Sequence, residues 1–349
     1  MGALPIPPTP PGTDLTGKTA IVTGGNAGLG LEAARQYLTL KAARVIIAVR
    51  SPAKGKEAIA ELKADPTVQK LNPNAAIEAF PLDLDDFQSG VDFVRKVKSE
   101  VPELDILLNN GGTNILKYHK SASGHERVMQ GLPLSARILV TRTLLIRETA
   151  VNVYTHFLIS LGLLPLLIST AERRGAPTHL SFVGSSMQSS HSLTKKPLTP
   201  NGSFLEHFDD QKTYDAMTRY QDSKFMVNVL VRGLAKVVGE ENPKVIVNHM
   251  CPGLVYTGFD KNLPLWLKPL MYIYRRVSAR HVSEGARTLI HATAAEGSES
   301  HGKFLSNNII RSGEVPFLDE AAGKAFTEKA WKELVAECSK FEPGLSRYA

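Results

Sequence analysis

Lys18-Thr-Ala-Ile-Val-Thr23-Gly24-Gly25-Asn26-Ala27-Gly28-Leu29-Gly30 is the stretch on which the fold turns. Its first half is β-branched, bounded by Thr16-Gly17 before it and glycines after it, and reads as a buried strand. Beyond Gly30 the apolar residues Ala33, Ala34, Tyr37 and Leu38 recur at helical spacing. Strand, glycine turn and helix in succession suit a dinucleotide pyrophosphate. The glycines let the backbone approach the phosphates, and the helix N-terminus offers free N–H groups and a positive dipole end. Alone, the spacing Thr23-Gly24-x-x-x-Gly28-x-Gly30 also fits an ordinary tight turn; the strand before it and the helix after it favour the cofactor reading, with Leu29 inside the same turn.

The alternation continues outward. Arg44 to Arg50 is a second strand, and where an NAD-selective fold carries an acidic residue for the ribose hydroxyls, this chain has Val49, Arg50 and Ser51. An arginine and a hydroxyl suit a 2′-phosphate, so NADP(H) is favoured over NAD(H); the plain alternative is a solvated arginine at a helix start. Ala58 to Leu62 belongs to the next helix, and Ala75 to Leu82 is a third strand ending in Asp83-Leu84. Asp83 is placed to accept from an adenine amino group or to cap the helix from Phe87 to Val101, and the two roles are compatible. Leu104 to Asn109 is a fourth strand that runs into Asn110-Gly111-Gly112. A fifth, Thr178 to Gly184, ends at Ser185-Ser186, and a sixth, Lys244 to Met250, closes with Cys251-Pro252-Gly253 and leads to Val255 and Thr257. A helix from Ser283 to Ala295, a short strand near Lys303 to Ser306 and a helix from Glu320 to Ser339 complete the chain. This pattern predicts an α/β fold: one Rossmann-type, doubly wound parallel sheet over residues 15–340, preceded by a flexible proline-rich arm, 1–14.

Tyr220-Gln-Asp-Ser-Lys224 lies in an apolar-striped run from Tyr214 to Val238. Residues four apart on a helix share a face. A phenol titrates near ~10, and bringing it to neutrality takes about 4 kcal/mol of preferential stabilisation, within reach of a nearby ammonium and a second positive charge. Most such pairs are surface neighbours; beside a hydride source and a substrate, this one becomes a proton-transfer device. The polar insert 187–212 and the aromatic-rich stretch 258–280, a candidate lid, border the site, although a packed helix or a dimer contact fits 258–280 nearly as well.

Composition narrows the rest. The 349 residues include 41 basic and 34 acidic side chains, a net charge of +7 that is scattered rather than clustered, which argues against a nucleic-acid partner. Cys251 and Cys338 lack metal-ligand spacing, as do His191, His207, His281, His291 and His301, so a reducing, cytoplasmic setting and no metal are expected. The longest apolar stretch, His156 to Ile168, reads as too short and interrupted to span a bilayer. The start lacks the pattern of a signal peptide.

Together these residues resemble the short-chain dehydrogenase/reductase family from about Leu15 to Glu337, nearest its retinol-dehydrogenase-like and fungal tailoring-enzyme branches. The motifs are Thr23-Gly24-x-x-x-Gly28-x-Gly30, Asp83-Leu84, Asn109-Asn110-Gly111-Gly112, Asn152, Ser185, Tyr220-x-x-x-Lys224 and Pro252-Gly253-x-x-x-Thr257. The resemblance implies an oxidoreductase interconverting a carbonyl and an alcohol on a small, fairly apolar molecule, such as a secondary metabolite. Tyr220 would be its acid or base and Ser185 the hydrogen-bonding partner of the reacting oxygen, with Ser186 as the rival serine. Lys224 would lower the tyrosine pKa and hold the nicotinamide ribose, Asn152 would hold a relay water, and Pro252, Gly253, Val255 and Thr257 would border the nicotinamide. The family commonly forms homodimers through the helices containing Val151–Ala171 and Tyr220–Val238.

One departure stands out. Gly124-His-Glu-Arg-Val-Met-Gln130 matches the start of a family helix and Val151-Asn152-Val-Tyr-Thr-His-Phe157 its continuation, with residues 131–150 intervening. Three readings stand: a surface excursion, a membrane- or partner-binding helix, and an in-frame intron retained in the coding sequence. The third is favoured because the flanks rejoin in register. If the segment is translated, the relay through Asn152 is at risk, and the alternative function is a catalytically impaired cofactor-binding scaffold or sensor.

Overall fold

A computed structural model describes residues 5–112, 118, 120–121, 123–126, 128–129, 153–194, 198, 202–239, 241, 243–255 and 279–349. Asn152, Thr257, the 131–150 segment and nearly all of the expected lid lie outside the described residues.

Among the described residues eight strands form one sheet: β1 (Thr19–Thr23), β2 (Arg44–Val49), β3 (Ala76–Pro81), β4 (Ile106–Asn109), β5 (Thr178–Val183), β6 (Val245–Cys251), β7 (Phe304–Ser306) and β8 (Ile309–Arg311). Their order is β3-β2-β1-β4-β5-β6-β7-β8, parallel as far as β7. The chain reverses between β1 and β4, so both the β1 turn and the β4 end open onto one crevice at the switch point. The antiparallel β8 was not anticipated. Its two-residue turn, Asn307-Asn308, has φ of 56° and 60°, the left-handed pair that a tight hairpin needs and asparagine tolerates.

Strand alternation divides the interior. Ile21, Leu107, Leu180 and Val247 face one core, whereas Ala20, Val22, Val45 and Leu108 face the other. The second core is closed by α1 (Gly28–Thr39), α2 (Pro52–Ala64), α3 (Pro66–Leu71) and α8 (Val282–Ile290). The first is closed by α4 (Phe87–Glu100), α5 (Tyr154–Arg174) and α7 (Ala216–Val238). Helix α5 is long and apolar enough to cross a membrane, contrary to the shorter apolar run expected there, but 78% of its most apolar window is buried as a core helix.

A further helix, α9 (Ala321–Ser339), lies across the layer of α4, α5 and α7. Trp331 packs on Gly233 of α7 so tightly that a Cβ there would sit 2.2 Å from the indole, and its ring meets Phe157 of α5 edge-on at 5.1 Å. Phe341 continues the contact onto Phe87 of α4, at 4.8 Å between ring centroids. At the other end of the chain, the arm expected to be flexible is tied at Ile6: its N–H donates to Glu284 at 2.7 Å and its carbonyl accepts from Arg287 at 3.0 Å.

The flanks of the 131–150 segment meet. Tyr154 N–H donates to the Met129 carbonyl at 3.1 Å, so the chain leaves and returns at one place. Helix α5 itself starts at Tyr154, with Val153 at its N-cap in a non-helical conformation.

Candidate active site

Tyr220 is the fifth residue of α7, whose start is capped by Asp215 accepting from Thr218 N–H at 2.9 Å. Ser185, just past the end of β5, sits close enough to the Tyr220 hydroxyl to oppose the rise in its pKa. Ser185 also accepts from Met187 N–H at 3.2 Å, which fixes its rotamer, while Ser186 is exposed. Of the two serines, Ser185 is the one that acts on the Tyr220 hydroxyl. One turn along α7, Lys224 is 6% exposed, donates to the Val183 carbonyl at 2.8 Å and has its Nζ 5.8 Å from the Tyr220 ring centre.

Burial governs the electrostatics. It pushes the Tyr220 phenol up to about 12, with the nearby Cys251 adding to the rise and the Ser185 hydrogen bond opposing it. Burial also brings Lys224 down to about 8. The expected lowering of the phenol by Lys224 is thus not produced by these side chains alone. Desolvation of the neutral-preferring phenol outweighs it.

The glycine turn has the form a pyrophosphate needs. Gly24 and Gly28 adopt positive φ of 64° and 55°. A Cβ on Gly30 would fall 2.5 Å from both the Gly24 carbonyl and Asn110 Nδ2, so only glycine lets α1 start this close. Ala27 provides no side-chain cap and the first turn carries no acidic residue, leaving the N–H groups of α1 for an anion. These residues fit a dinucleotide. Thr23 holds the neighbouring strand in place: its Oγ1 accepts from Asn110 N–H at 2.9 Å and Gly111 N–H at 3.0 Å, and Asn110 Nδ2 donates to its carbonyl at 2.9 Å. With two donors already on that oxygen, its own proton is directed to His156 Nε2, 2.9 Å away. His156, on α5, was missed because its pairing with Thr23 is long-range.

The remaining cofactor candidates divide. Leu29 packs near the start of α8, where a Cβ on Gly285 would lie 3.2 Å from its Cδ2. Arg50 is 4.0 Å from the buried Asp85, a partner that orients its guanidinium at the β2 end. Ser51 is committed to capping α2, accepting from Lys54 N–H at 3.4 Å. Asp83 accepts from Asp85 N–H, and the cap of α4 is Asp86, which corrects the capping role considered for Asp83. The Leu84 carbonyl accepts from Thr155, and its Cδ1 lies 2.5 Å from where a Gly111 Cβ would stand, so a side chain at 111 would force Leu84 to move. Asn109 does not turn its side chain to the crevice: Nδ2 donates to Ser160 of α5 at 3.0 Å, joining strand to helix.

Pro252 and Gly253 follow β6, with Gly253 at φ 76°. Arg280, 6% exposed and unforeseen from sequence, holds this turn by donating to the Pro252 carbonyl at 3.2 Å and to Asn307 Oδ1 at 2.7 Å. Val255 is buried and bridges the strand segment at Arg280.

A phenol, a serine hydroxyl and a buried ammonium thus come together on a sheet whose first turn has the form a pyrophosphate needs. Residues 18–174 match the family model for short chain dehydrogenases. Short chain dehydrogenase sor7 of Hypocrea jecorina is 51% identical over 311 residues, 89% of this chain and 80% of its own length. Short-chain dehydrogenase/reductase tropG of Talaromyces stipitatus is 36% identical, covering 96% of this chain and 95% of its own. Among solved structures, Pseudomonas aeruginosa RhlG in complex with NADP superposes with a TM-score of 0.56 at 22% identity, over 85% of this chain and 97% of that one, a likeness of fold. On these grounds the chain belongs to the short-chain dehydrogenase family of oxidoreductases.

Proposed function

We propose that the protein is an NADP(H)-dependent reductase that converts a carbonyl to an alcohol on a small, fairly apolar molecule, as a tailoring step in secondary metabolism. The observation that carries this reading is Ser185 set against the Tyr220 hydroxyl, with Lys224 one helical turn along. Bound in the crevice, the nicotinamide supplies the hydride. Ser185 holds the substrate oxygen, and Tyr220 gives its proton to that oxygen from Oη as negative charge develops. A phenol that burial keeps protonated at neutral pH suits the reductive direction. Lys224 would hold the nicotinamide ribose, and Asn152 would hold the water that returns a proton. Fungal relatives of similar length support the tailoring role.

An NADPH-oxidation screen against aldehydes, ketones and quinones tests the reading. A second reading, a cofactor-binding scaffold, draws on the start of α5 at Tyr154, after Asn152 rather than before it; tight NADPH binding with no turnover on any of these carbonyls favours it. The preference for NADP(H) rests on Arg50, oriented by Asp85 at the β2 end, and on the lack of an acidic residue at Val49 and Ser51. Arg50→Ala should cut the NADPH-over-NADH ratio of kcat/KM by about tenfold or more, the loss of roughly one charge-assisted contact. An unchanged ratio would remove the case for a 2′-phosphate site.

A further inference from the structure

Tyr220 stands just past the first turn of α7, the part of a helix whose N–H groups lack intrahelical acceptors and which opens first. Its position depends on what holds that turn. Arg219, immediately before it, is only 2% exposed. The guanidinium lies 4.8 Å from the Phe208 ring centre and 5.6 Å from that of Tyr214, and Nη2 donates to Thr213 Oγ1 at 3.1 Å. Its Nε is 3.8 Å from Oε2 of Glu126, a fully buried carboxyl that also accepts from Val128 N–H at 2.9 Å and Met129 N–H at 3.3 Å.

The cluster extends through Asp209, His125, Glu337 and Tyr118. Asp209, at the end of α6 (Phe204–Asp209), accepts from Glu126 N–H at 2.6 Å and pairs with His125 Nδ1 at 2.7 Å. His125 Nε2 in turn lies 3.4 Å from Glu337 of α9. Tyr118 donates to the Asp209 carbonyl at 2.6 Å. Burial pushes the Glu126 carboxyl up to about 7, against the pull of Arg219 and the two backbone donors. Burying such a pair costs several kcal/mol, roughly what its attraction returns, so stability alone is a weak reason to keep it. What it provides is a fixed direction. Adjacent helical residues point ~100° apart, so a guanidinium locked between two rings sets where the next side chain aims.

We propose that Arg219, braced by Glu126, Phe208 and Tyr214, is the positioning residue for Tyr220: it fixes the first turn of α7 so that the phenol meets Ser185. The proposal rests on Tyr220 as the proton donor. Asp222, one half-turn further on, accepts from Ser192 N–H and Oγ and holds the 186–194 loop, a separate task.

Amide hydrogen exchange and kinetics on Arg219→Met and Arg219→Lys test it in the full chain. In Arg219→Met, the amides of 216–220 should exchange at least about tenfold faster while the rest of α7 keeps its protection. Turnover should fall at least about tenfold with NADPH affinity within about threefold, and Arg219→Lys should recover part of both. Wild-type protection of 216–220 in the Met variant overturns the proposal. So does a loss of turnover matched by an equal loss of NADPH affinity. If the wild type reduces no carbonyl yet the Met variant frees the first turn, the positioning role stands and the proton-donor reading fails. Should Arg219→Met not fold, Glu126→Gln, which keeps the shape and removes the charge, is read in the same way.

Discussion

Lys224 shows function opposing stability at a single side chain. Burial brings its ammonium from an ordinary value of 10.5 to about 8, so the folded protein holds that proton less tightly than the unfolded chain does. The resulting cost is fully present below pH 8 and fades as pH rises towards 10.5. At ~1.4 kcal/mol per tenfold of proton affinity it amounts to about 3 kcal/mol. Lys224→Met keeps the stem and removes the charge, losing the bond to the Val183 carbonyl, worth about 1 kcal/mol. Denaturant melts of the Met variant should therefore show a gain of about 2 kcal/mol at pH 7 that closes towards high pH, with turnover abolished. A variant less stable than wild type at pH 7 would contradict this balance. Tyr220, Lys224 and Ser185 were legible in sequence because each sits at a motif spacing or a strand end. His156, Arg219 and Arg280 were not, because their roles come from partners far along the chain: Thr23, Glu126 and Pro252. No local pattern carries such pairings.

Among the elements, strands were the most readable, since apolar β-branched runs between turn residues leave few alternatives. The hairpin to β8 was missed although Asn307-Asn308 between Leu305-Ser306 and Ile309-Ile310 carries the turn chemistry. The helix start at α4 was read with the wrong cap because Asp83, Asp85 and Asp86 crowd one turn, and only Asp86 reaches Gln88 N–H. The meeting of Met129 and Tyr154 has a direct consequence for residues 131–150. A chain deleted for 131–150 should fold and bind NADPH, with a midpoint equal to or above that of the full chain. Shortening the closed loop costs nothing and relieves roughly 0.6 kcal/mol for each halving of its length. A deletion variant that fails to fold would show that the segment is integral. Reads of the mature transcript across these codons separate a translated insertion from a retained intron.

At the scale of the molecule, α9 changes the expectation of a dimer. The resemblance implied pairing through α5 and α7, yet Trp331, Phe341 and Glu342 place the chain's own C-terminal helix across α7, α5 and α4. A partner reaching that face has to displace α9. The same helix also holds the start of α6, since Glu333 accepts from Ser203 Oγ at 2.7 Å and Phe204 N–H at 3.0 Å. Trp331→Ala should cost about 3–5 kcal/mol, the range for an aromatic removed from a packed core, and expose apolar surface that binds a hydrophobic dye. A change below about 1 kcal/mol would show that α9 is only loosely seated.

The site, the cradle and the cover all converge on one proton. The most direct measurement compares NADPH oxidation by wild type and Tyr220→Phe on a carbonyl that the wild type accepts, with NADPH affinity measured in parallel. Expected is a fall in kcat of about 10²- to 10⁴-fold, the usual share of a general acid, with cofactor affinity nearly unchanged. A Tyr220→Phe variant that keeps most of the wild-type rate would contradict the assignment of the proton donor.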